Sequence, residues 1–205
     1  MRVKPGVHTY DLEWESFGEP LSVHVVEAEE TVLFGGGDAS TADELAEIAR
    51  DHDVDVVVVE HGDPDHYTGV PRLRELDIEV AVPEIDASRL HDDGVEPDIT
   101  LEPSKEYWGV TVIDAPGHTP GNASYVYDDV LIAGDTVVGA DSRFARPSDS
   151  GLSIIESDWN DDDDDAVASV ANLFEHDFEV VLVTHGSNAL ENGKEEVRKI
   201  VENLD

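Results

Sequence analysis

Residues 60–69 read EHGDPDHYTG and follow directly on the apolar run VDVVVV of residues 54–59. The run is short and rich in β-branched valine, which indicates a buried β-strand. The segment after it contains Gly62, Pro64 and Gly69, which indicate a loop before the next helix. Open α/β sheets carry their chemistry in loops at the carboxyl ends of strands. Imidazole and carboxylate are ligands that Zn, Fe and Mn share, so we interpret this segment as a metal-binding loop rather than an acidic surface loop.

Composition narrows the classes of function. The 205 residues include 49 acidic and 12 basic side chains, for a net charge of −37. This charge repels nucleic acid and anionic membranes, so we expect neither as a partner. The acidic residues alternate with apolar runs, which favours a folded domain with an acidic surface over disorder. Such a surface is typical of proteins from a high-salt cytoplasm, where salt screens the repulsion. The absence of cysteine excludes thiolate ligands and a cysteine nucleophile.

Location and domain organisation also follow as predictions. The N-terminal residues MRVKPG lack the apolar segment of a signal peptide. No apolar run is long enough to span a membrane. We therefore predict a cytoplasmic protein. Residues 1–205 contain no repeat and no linker, and we predict a single domain.

The hydrophobic pattern predicts strands alternating with helices. The predicted strands are residues 7–12, 21–28, 31–34, 54–59, 78–82, 99–101, 109–115, 123–127, 130–133 and 180–183. The predicted helical segments are residues 41–50, 70–76, 85–91, one that opens with the aspartates at 161–165, and a last one over about 191–204. The glycines at 35–37 are interpreted as a tight turn rather than a phosphate cradle, because no P-loop lysine follows them.

Four loops each follow a predicted strand and carry histidine or aspartate beside glycine. They are centred on residues 61–66, His118, Asp135 and His185. Each loop alone has a structural explanation, but four at the carboxyl ends of strands indicate a shared site. The other histidines are assigned to packing or to the surface, with no functional role: His8, His24, His52, His91 and His176.

These loops resemble the motifs of the metallo-β-lactamase-fold superfamily, in the same order and at similar separations. The matching segments are His61-x-Asp63-x-Asp65-His66-x-x-Gly69, Pro116-Gly117-His118-Thr119, Gly134-Asp135-Thr136 and Thr184-His185-Gly186. The resemblance covers nearly the whole chain and is strongest to small glyoxalase II-like metallo-hydrolases. It implies an α/β (α+β) fold, an αββα sandwich of two mixed β-sheets packed face to face, with helices outside.

The resemblance also implies a ligand set. The first metal would be held by His61, Asp63 and His118, and the second by Asp65, His66 and His185, with Asp135 bridging them. It implies one or two divalent metal ions, with Zn favoured. A metal ion lowers the pKa of its bound water, so no protein nucleophile is needed. Asp65 is the candidate catalytic residue, which would orient that water.

Two positions depart from the family pattern. Asp63 stands where a second histidine is usual, and a carboxylate shifts the preference toward Fe or Mn. Its side chain is shorter than imidazole, which leaves its reach to the metal open. Residues 34–36 read Phe-Gly-Gly where an aspartate usually ends the strand. We expect this change to remove an outer hydrogen-bond partner of the metal ligands.

The predicted function is that of a metal-dependent hydrolase acting on an ester, thioester or lactone of a small molecule. One alternative is an iron-dependent oxidoreductase similar to persulfide dioxygenases, and another is a degenerate, non-catalytic metal-binding protein. The sequence leaves the substrate and the oligomeric state open. Loop residues that could contact a substrate are Tyr67, Trp108, Arg143, Phe144, Arg146 and Trp159. The two arginines either receive an anionic substrate or anchor their loop.

Overall fold

The computed structural model describes residues 1–91 and 94–203. Within them, the strands in chain order are β1 (Arg2–Lys4), β2 (Val7–Leu12), β3 (Leu21–Glu27), β4 (Thr31–Phe34), β5 (Val56–Val58), β6 (Glu79–Pro83), β7 (Ile99–Leu101), β8 (Glu106–Tyr107), β9 (Val110–Asp114), β10 (Ala123–Tyr127), β11 (Val130–Ile132), β12 (Val138–Gly139), β13 (Leu152–Ser153) and β14 (Val180–Leu182). The α-helices are α1 (Ala42–Asp51), α2 (Pro64–Tyr67), α3 (Val70–Arg74), α4 (Ala87–His91), α5 (Asp163–Ser169) and α6 (Gly193–Asn203). Short 3-10 turns lie at Ala39–Thr41, Ser157–Trp159 and Val170–Glu175. No helix of these described residues has the length and apolar character needed to cross a membrane.

Two mixed sheets form the centre of the molecule. The larger has the order β1-β2-β3-β4-β5-β6-β7. Its pairs are antiparallel as far as β4 and parallel from β4 to β7. The smaller has the order β14-β11-β10-β9-β8, with one parallel pair between β11 and β14. Strands β12 and β13 form a separate two-stranded ribbon.

Three apolar clusters show how the layers stack. One lies between the sheets and includes Val56 and Val58 of β5 and Tyr125 of β10. The second includes Val57 of β5 and packs the other face of the larger sheet against α1, α3 and α4. The third packs the smaller sheet against α6 and the 170–175 turn. Because β5 is buried on both faces, its sequence is a continuous apolar run rather than an alternating one.

Most predicted elements are confirmed within a few residues. Strands β2, β4, β7 and β10 occupy the predicted residues. Helix α1 buries Leu45, Ile48 and Ala49 as expected and carries acidic residues in its first turn. The missed strands β1, β8, β12 and β13 have only two or three residues each, too few to show a periodicity. Helix α6 ends at Asn203, and the predicted terminus at Leu204 lies outside the described residues.

The glycines after β4 allow close packing of the loop that follows β5. The Gly36 amide donates to the His66 carbonyl at 2.8 Å, and the Gly69 amide donates to the Gly37 carbonyl at 2.9 Å. A Cβ atom at Gly36 would lie 2.5 Å from the His66 carbonyl oxygen, which is closer than real Cβ contacts. The glycine run therefore positions the helix that carries His66.

Candidate metal centre

Loops from both sheets meet at one edge of the sandwich. Strands β9, β11 and β14 run in the same direction, so their carboxyl ends bring His118, Asp135 and His185 together. Strand β5 ends at the same edge and delivers residues 61–66. Leu21, at the start of β3, pairs with His185 and ties the larger sheet to this edge. The four loops singled out in the sequence converge here.

The first cluster consists of His61, His118 and Asp135, with one ligand atom of each within 4.8 Å of the others. All three side chains are buried. Asp135 Oδ2 lies 3.4 Å from His118 Nε2 and 3.9 Å from His61 Nε2. Asp63 is next to this cluster, with Oδ2 3.0 Å from His118 Nε2 and 3.8 Å from His61 Nε2. Although the aspartate side chain is shorter than that of histidine, the Asp63 carboxylate therefore reaches the ligand atoms of the first cluster.

The second cluster consists of Asp65, His66 and His185. Asp65 Oδ2 lies 3.3 Å from His185 Nε2 and 3.9 Å from His66 Nε2. Asp135 is close to this cluster too, because its Oδ1 lies 3.6 Å from His66 Nε2 and its Oδ2 lies 3.4 Å from His185 Nε2. A single buried carboxylate thus lies between the two clusters, which is the arrangement of a bridging ligand.

The donor atoms fit metal ions in spacing and in chemistry. Protein ligands lie about 2.0–2.2 Å from a tetrahedral Zn ion, so neighbouring donors stand about 3.3 Å apart. The contacts above run from 3.0 to 3.9 Å. Several of the buried nitrogen and oxygen atoms in the clusters make no hydrogen bond to any described residue. They are both ring nitrogens of His61, Nε2 of His66 and of His118, and Oδ1 of Asp135. Buried polar atoms are normally paired, so this convergent unpaired set fits the binding of metal ions.

Comparison with solved structures identifies the architecture. No protein-family model matches the sequence, and no curated protein matches it. The metallo-β-lactamase from Hirschia baltica is 22% identical, over 98% of this chain and 95% of that one, with a TM-score of 0.71. The DIM-1 metallo-β-lactamase is 18% identical over 100% and 96%, with a TM-score of 0.75. FIM-1 from Pseudomonas aeruginosa, in a mono-zinc form, is 20% identical over 97% and 91%, with a TM-score of 0.70.

The chain has the metallo-β-lactamase fold. The predicted αββα sandwich is confirmed, with two mixed sheets and helices on both outer faces. Identities of 15–22% establish the fold and not the substrate. The assignment of individual metal ligands stays a prediction, supported by the geometry of the two clusters.

One expected departure from the metallo-β-lactamase pattern is compensated locally. The strand that ends at Phe34 supplies no aspartate, as the sequence shows. Glu60, buried at the end of the neighbouring run, places Oε2 3.1 Å from His66 Nδ1. Its Oε1 lies 3.8 Å from the point where a Cβ atom at Gly35 would stand. The carboxylate partner is thus supplied from residue 60, a role that the sequence reasoning missed.

One further outer contact orients a ligand, since His118 Nδ1 lies 3.3 Å from Asn160 Oδ1. Glu19 Oε1 lies 3.7 Å from His185 Nδ1, beyond hydrogen-bond distance. Buried Asp86 joins the first two motif loops. It accepts hydrogen bonds from the Gly62 amide at 2.7 Å, from Thr119 Oγ1 at 2.5 Å and from the Gly121 amide at 2.8 Å. Sequence reasoning missed Asp86 because it lies in a loop outside the four motifs.

The electrostatics of the site favour a charged Asp135. Burial alone would raise the pKa of Asp135, but His185 and His66 outweigh burial and hold it well below its usual range. Burial would lower the pKa of His185, but Asp135 and Asp65 raise it to about 9. Burial lowers the pKa of His61 well below its usual value, and His66 and His118 add to this effect. The buried carboxylate is therefore ready to act as an anionic ligand.

A cavity of about 220 Å³ opens over the two clusters. Its floor includes Asp63, Asp65, His118, Asp135 and His185. Its wall is apolar and mostly aromatic, formed by Trp14, Phe17, Phe144, Ile155 and Trp159. The rings of Trp14 and Phe17 are stacked with centroids 4.1 Å apart, and Phe144 and Trp159 meet edge to face at 5.3 Å. Among residues 1–91 and 94–203, those that line this cavity include no lysine or arginine.

The structure divides the six predicted substrate-contact residues. Phe144 and Trp159 line the cavity. Tyr67 belongs to the apolar cluster under α1, and Trp108 packs on the cluster between the sheets, so their contact with a substrate stays a prediction.

The two arginines anchor loops. Arg143 donates through Nη1 to the Phe17 carbonyl at 2.6 Å, and Arg146 donates through Nε to the Ile155 carbonyl at 2.9 Å. Arg146 also forms an ion pair with Asp163. Of the two readings of these arginines, the structure therefore supports the anchoring one.

Proposed function

We propose that the protein is a metal-dependent hydrolase of esters, thioesters or lactones whose acyl part is apolar. The observation that carries the proposal is the floor of the cavity, where two His/Asp clusters share Asp135 beneath an aromatic wall. The first metal would be held by His61, Asp63, His118 and Asp135. The second would be held by Asp65, His66, His185 and Asp135. The metallo-β-lactamase fold of the chain supports this reading.

The chemistry needs few protein groups. When bound, divalent metal ions supply a water of lowered pKa and polarise the scissile carbonyl. Asp65 lines the cavity beside His185 and is assigned to orient the water and accept its proton. In the hydrolysis, the water oxygen bonds to the acyl carbon and the C–O or C–S bond breaks. The leaving oxygen or sulfur then takes up a proton. Glu60 and Asn160 hold His66 and His118 in the orientation in which each Nε2 faces Asp135.

The cavity wall supports an uncharged, apolar substrate. Five apolar side chains form it, and the charged groups on the floor are ligands of either cluster or the acidic Asp38. Apart from the metal ions, the lining residues offer no cationic side chain to an anionic group on the substrate, and Asp38 would repel such a group. An apolar acyl chain would instead bury area against Trp14, Phe17 and Phe144, which stabilises binding.

The test is hydrolysis by protein loaded separately with Zn, Mn or Fe in high salt. The panel contains esters, thioesters and lactones with short and long acyl chains, together with a β-lactam. We expect activity on the longer acyl esters or thioesters with at least one metal, and its loss in Asp65→Asn. His91→Gln, at an exposed histidine paired with Glu96 outside the site, serves as the control. Failure of every metal-loaded form on the whole panel would contradict the proposal and favour a non-catalytic metal-binding protein.

The position of Asp63 favours one second candidate. With Asp63 and Asp135, the first site offers two nitrogens and two carboxylates, a harder set than three histidines, which suits Fe or Mn. This set supports an iron-dependent oxidoreductase acting on a persulfide. Oxygen uptake with a persulfide by the iron-loaded protein, abolished in Asp63→Asn, would favour this candidate. No uptake beyond that of free iron would exclude it.

A further inference from the structure

A second group of metal-ligating side chains lies at the far end of the larger sheet. His8 of β2, Glu27 of β3 and His52 after α1 each place one ligand atom within 4.8 Å of the others. Leu21, at the start of β3, pairs with His185 of the metal centre, and Glu27 stands at the other end of the same strand. At about 3.3 Å per residue, the strand separates the two groups by about 20 Å. The group is therefore not part of the site described above.

The fold brings these three residues to one face. His8 is opposite Val25 in the β2–β3 ladder. Glu27 is two residues beyond Val25 and so points to the same face of the sheet. Helix α1 packs on that face, and His52 follows its last turn, with its amide donating to the Ile48 carbonyl at 3.2 Å. Two strands and a helix end thus hold the group from three directions.

The spacing of the donors suits one metal ion. Glu27 Oε1 lies 3.5 Å from His8 Nε2 and 3.7 Å from His52 Nδ1. The two imidazole rings are 4.6 Å apart between centroids. Ligand atoms around a tetrahedral Zn ion stand about 3.3 Å apart, so the two distances from Glu27 to the histidines need to close by only a few tenths of an ångström. The Glu27 side chain is 53% exposed and is free to make this adjustment.

His52 also has the outer contact that metal-bound histidines have. Its Nε2 lies 2.6 Å from the hydroxyl oxygen of Tyr10. When Nε2–H donates to that oxygen, Nδ1 carries the lone pair and faces Glu27. A ligating histidine usually donates its other ring N–H in this way, which fixes the tautomer and the ring orientation.

A plain histidine–glutamate ion pair explains this group less well. An ion pair would need only one histidine, as at His91, whose Nδ1 lies 2.6 Å from Glu96. Here two imidazoles converge on one carboxylate oxygen.

We propose that His8, Glu27 and His52 bind one divalent metal ion that accepts both imidazole and carboxylate ligands, such as Zn²⁺, with water completing the coordination. The ion fastens the β2–β3 hairpin to the end of α1. Tyr10 acts as a positioning residue through His52. This site is independent of the proposed hydrolase activity.

The test is a Zn²⁺ titration of untagged protein whose tight sites are already loaded, in molar potassium nitrate to screen the acidic surface. Bound Zn²⁺ per chain is measured by competition with a chromogenic chelator. We expect wild type to bind one equivalent more than His8→Gln and Glu27→Gln. Tyr10→Phe should keep the equivalent with about tenfold weaker affinity. His91→Gln removes a histidine from a simple pair and should match wild type.

Equal Zn²⁺ binding by wild type, His8→Gln and Glu27→Gln would overturn the proposal. Glu27→Gln changes a half-exposed side chain, so it tests the site even if His8→Gln does not fold. Loss of the same equivalent in His91→Gln would also overturn it, because binding would then be nonspecific.

Discussion

The metal centre and the His8–Glu27–His52 group both combine histidines with carboxylates, but they differ in burial and in position within the strands. In the metal centre, Asp135 is buried and lies within 3.9 Å of four histidines. In the second group, Glu27 is half exposed and faces two histidines. The first ligands follow strand ends, whereas His8 and Glu27 lie within strands.

This difference determines what each group can do. Loops at strand ends leave an open cavity above the ligands, and a shared buried carboxylate couples two ions into one site. Ligands on strands and at a helix end instead tie those elements together. We expect the metal centre to bind metal more tightly than the His8–Glu27–His52 group and to contribute more to the free energy of unfolding.

The largest expected effect is the loss of the shared carboxylate. A metal present at 1,000 times its Kd stabilises the folded state by about 4 kcal/mol, or about 10 °C in Tm for a chain of this size. Chelation should therefore lower the Tm of wild type by about 10 °C and that of Asp135→Asn by little. Scanning calorimetry of Glu27→Gln with and without chelator is the control and should resemble wild type. A wild-type response in Asp135→Asn would show that Asp135 is not a ligand.

The next largest effect is a pH dependence of the free energy of unfolding, caused by a buried histidine that has no carboxylate partner. His24 is fully buried beside Thr9 Oγ1 at 3.0 Å, and burial lowers its pKa from 6.5 to about 3. The unfolded chain therefore binds more protons below pH 6.5. The contribution to stability is present above pH 6.5 and is lost as the pH falls toward 3, by about 1.4 kcal/mol per unit. Denaturant unfolding between pH 7 and 4.5 should show this slope in wild type and not in His24→Gln. Parallel slopes would refute it.

Outer partners should matter less than ligands. Glu60→Gln removes the charge that faces His66 Nδ1 while keeping the side-chain shape. We expect about tenfold weaker metal affinity at the metal centre, with the Tm of the chelated protein nearly unchanged. Glu96→Gln, at the simple pair with His91, is the matched control. Unchanged affinity in Glu60→Gln would mean that Glu60 does not orient His66.

The smallest effect is expected at the cavity wall. Trp159 is 54% exposed, so Trp159→Ala should weaken binding of an apolar acyl ester by about 1 kcal/mol, or roughly fivefold in KM. The value of kcat should change less, because Trp159 belongs to the cavity wall and is not an assigned metal ligand. Ile85→Ala, an exposed apolar residue outside the lining, is the control. A fall in kcat at constant KM would contradict a substrate-binding wall.

The sequence predicted the fold and the loops that converge because both depend on local patterns. The valine run before residue 60 is apolar on both faces, and each of the four motif loops follows a predicted strand. The resemblance then placed the loops at a common edge, which the structure confirms for the four motif loops. The single-domain organisation, the cytoplasmic location and the high-salt origin stay predictions.

Contacts between distant residues could not be predicted in this way. His8, Glu27 and His52 come together only through the β2–β3 register and the end of α1, and the sequence reasoning gave both histidines no role. Glu60 lies within the quoted motif, but its contact with His66 depends on the loop geometry. Asp86 acts through backbone amides, which leave no trace in a side-chain pattern.

The most direct test is the metal content of wild type, Asp135→Asn and Glu27→Gln, purified in high salt without added metal or chelator and analysed by mass spectrometry. We predict two tightly bound equivalents in wild type and in Glu27→Gln, and loss of both in Asp135→Asn. Equal metal content in wild type and Asp135→Asn would contradict a centre built on Asp135. So would a wild type that contains no metal and takes up none on incubation with Zn, Mn or Fe.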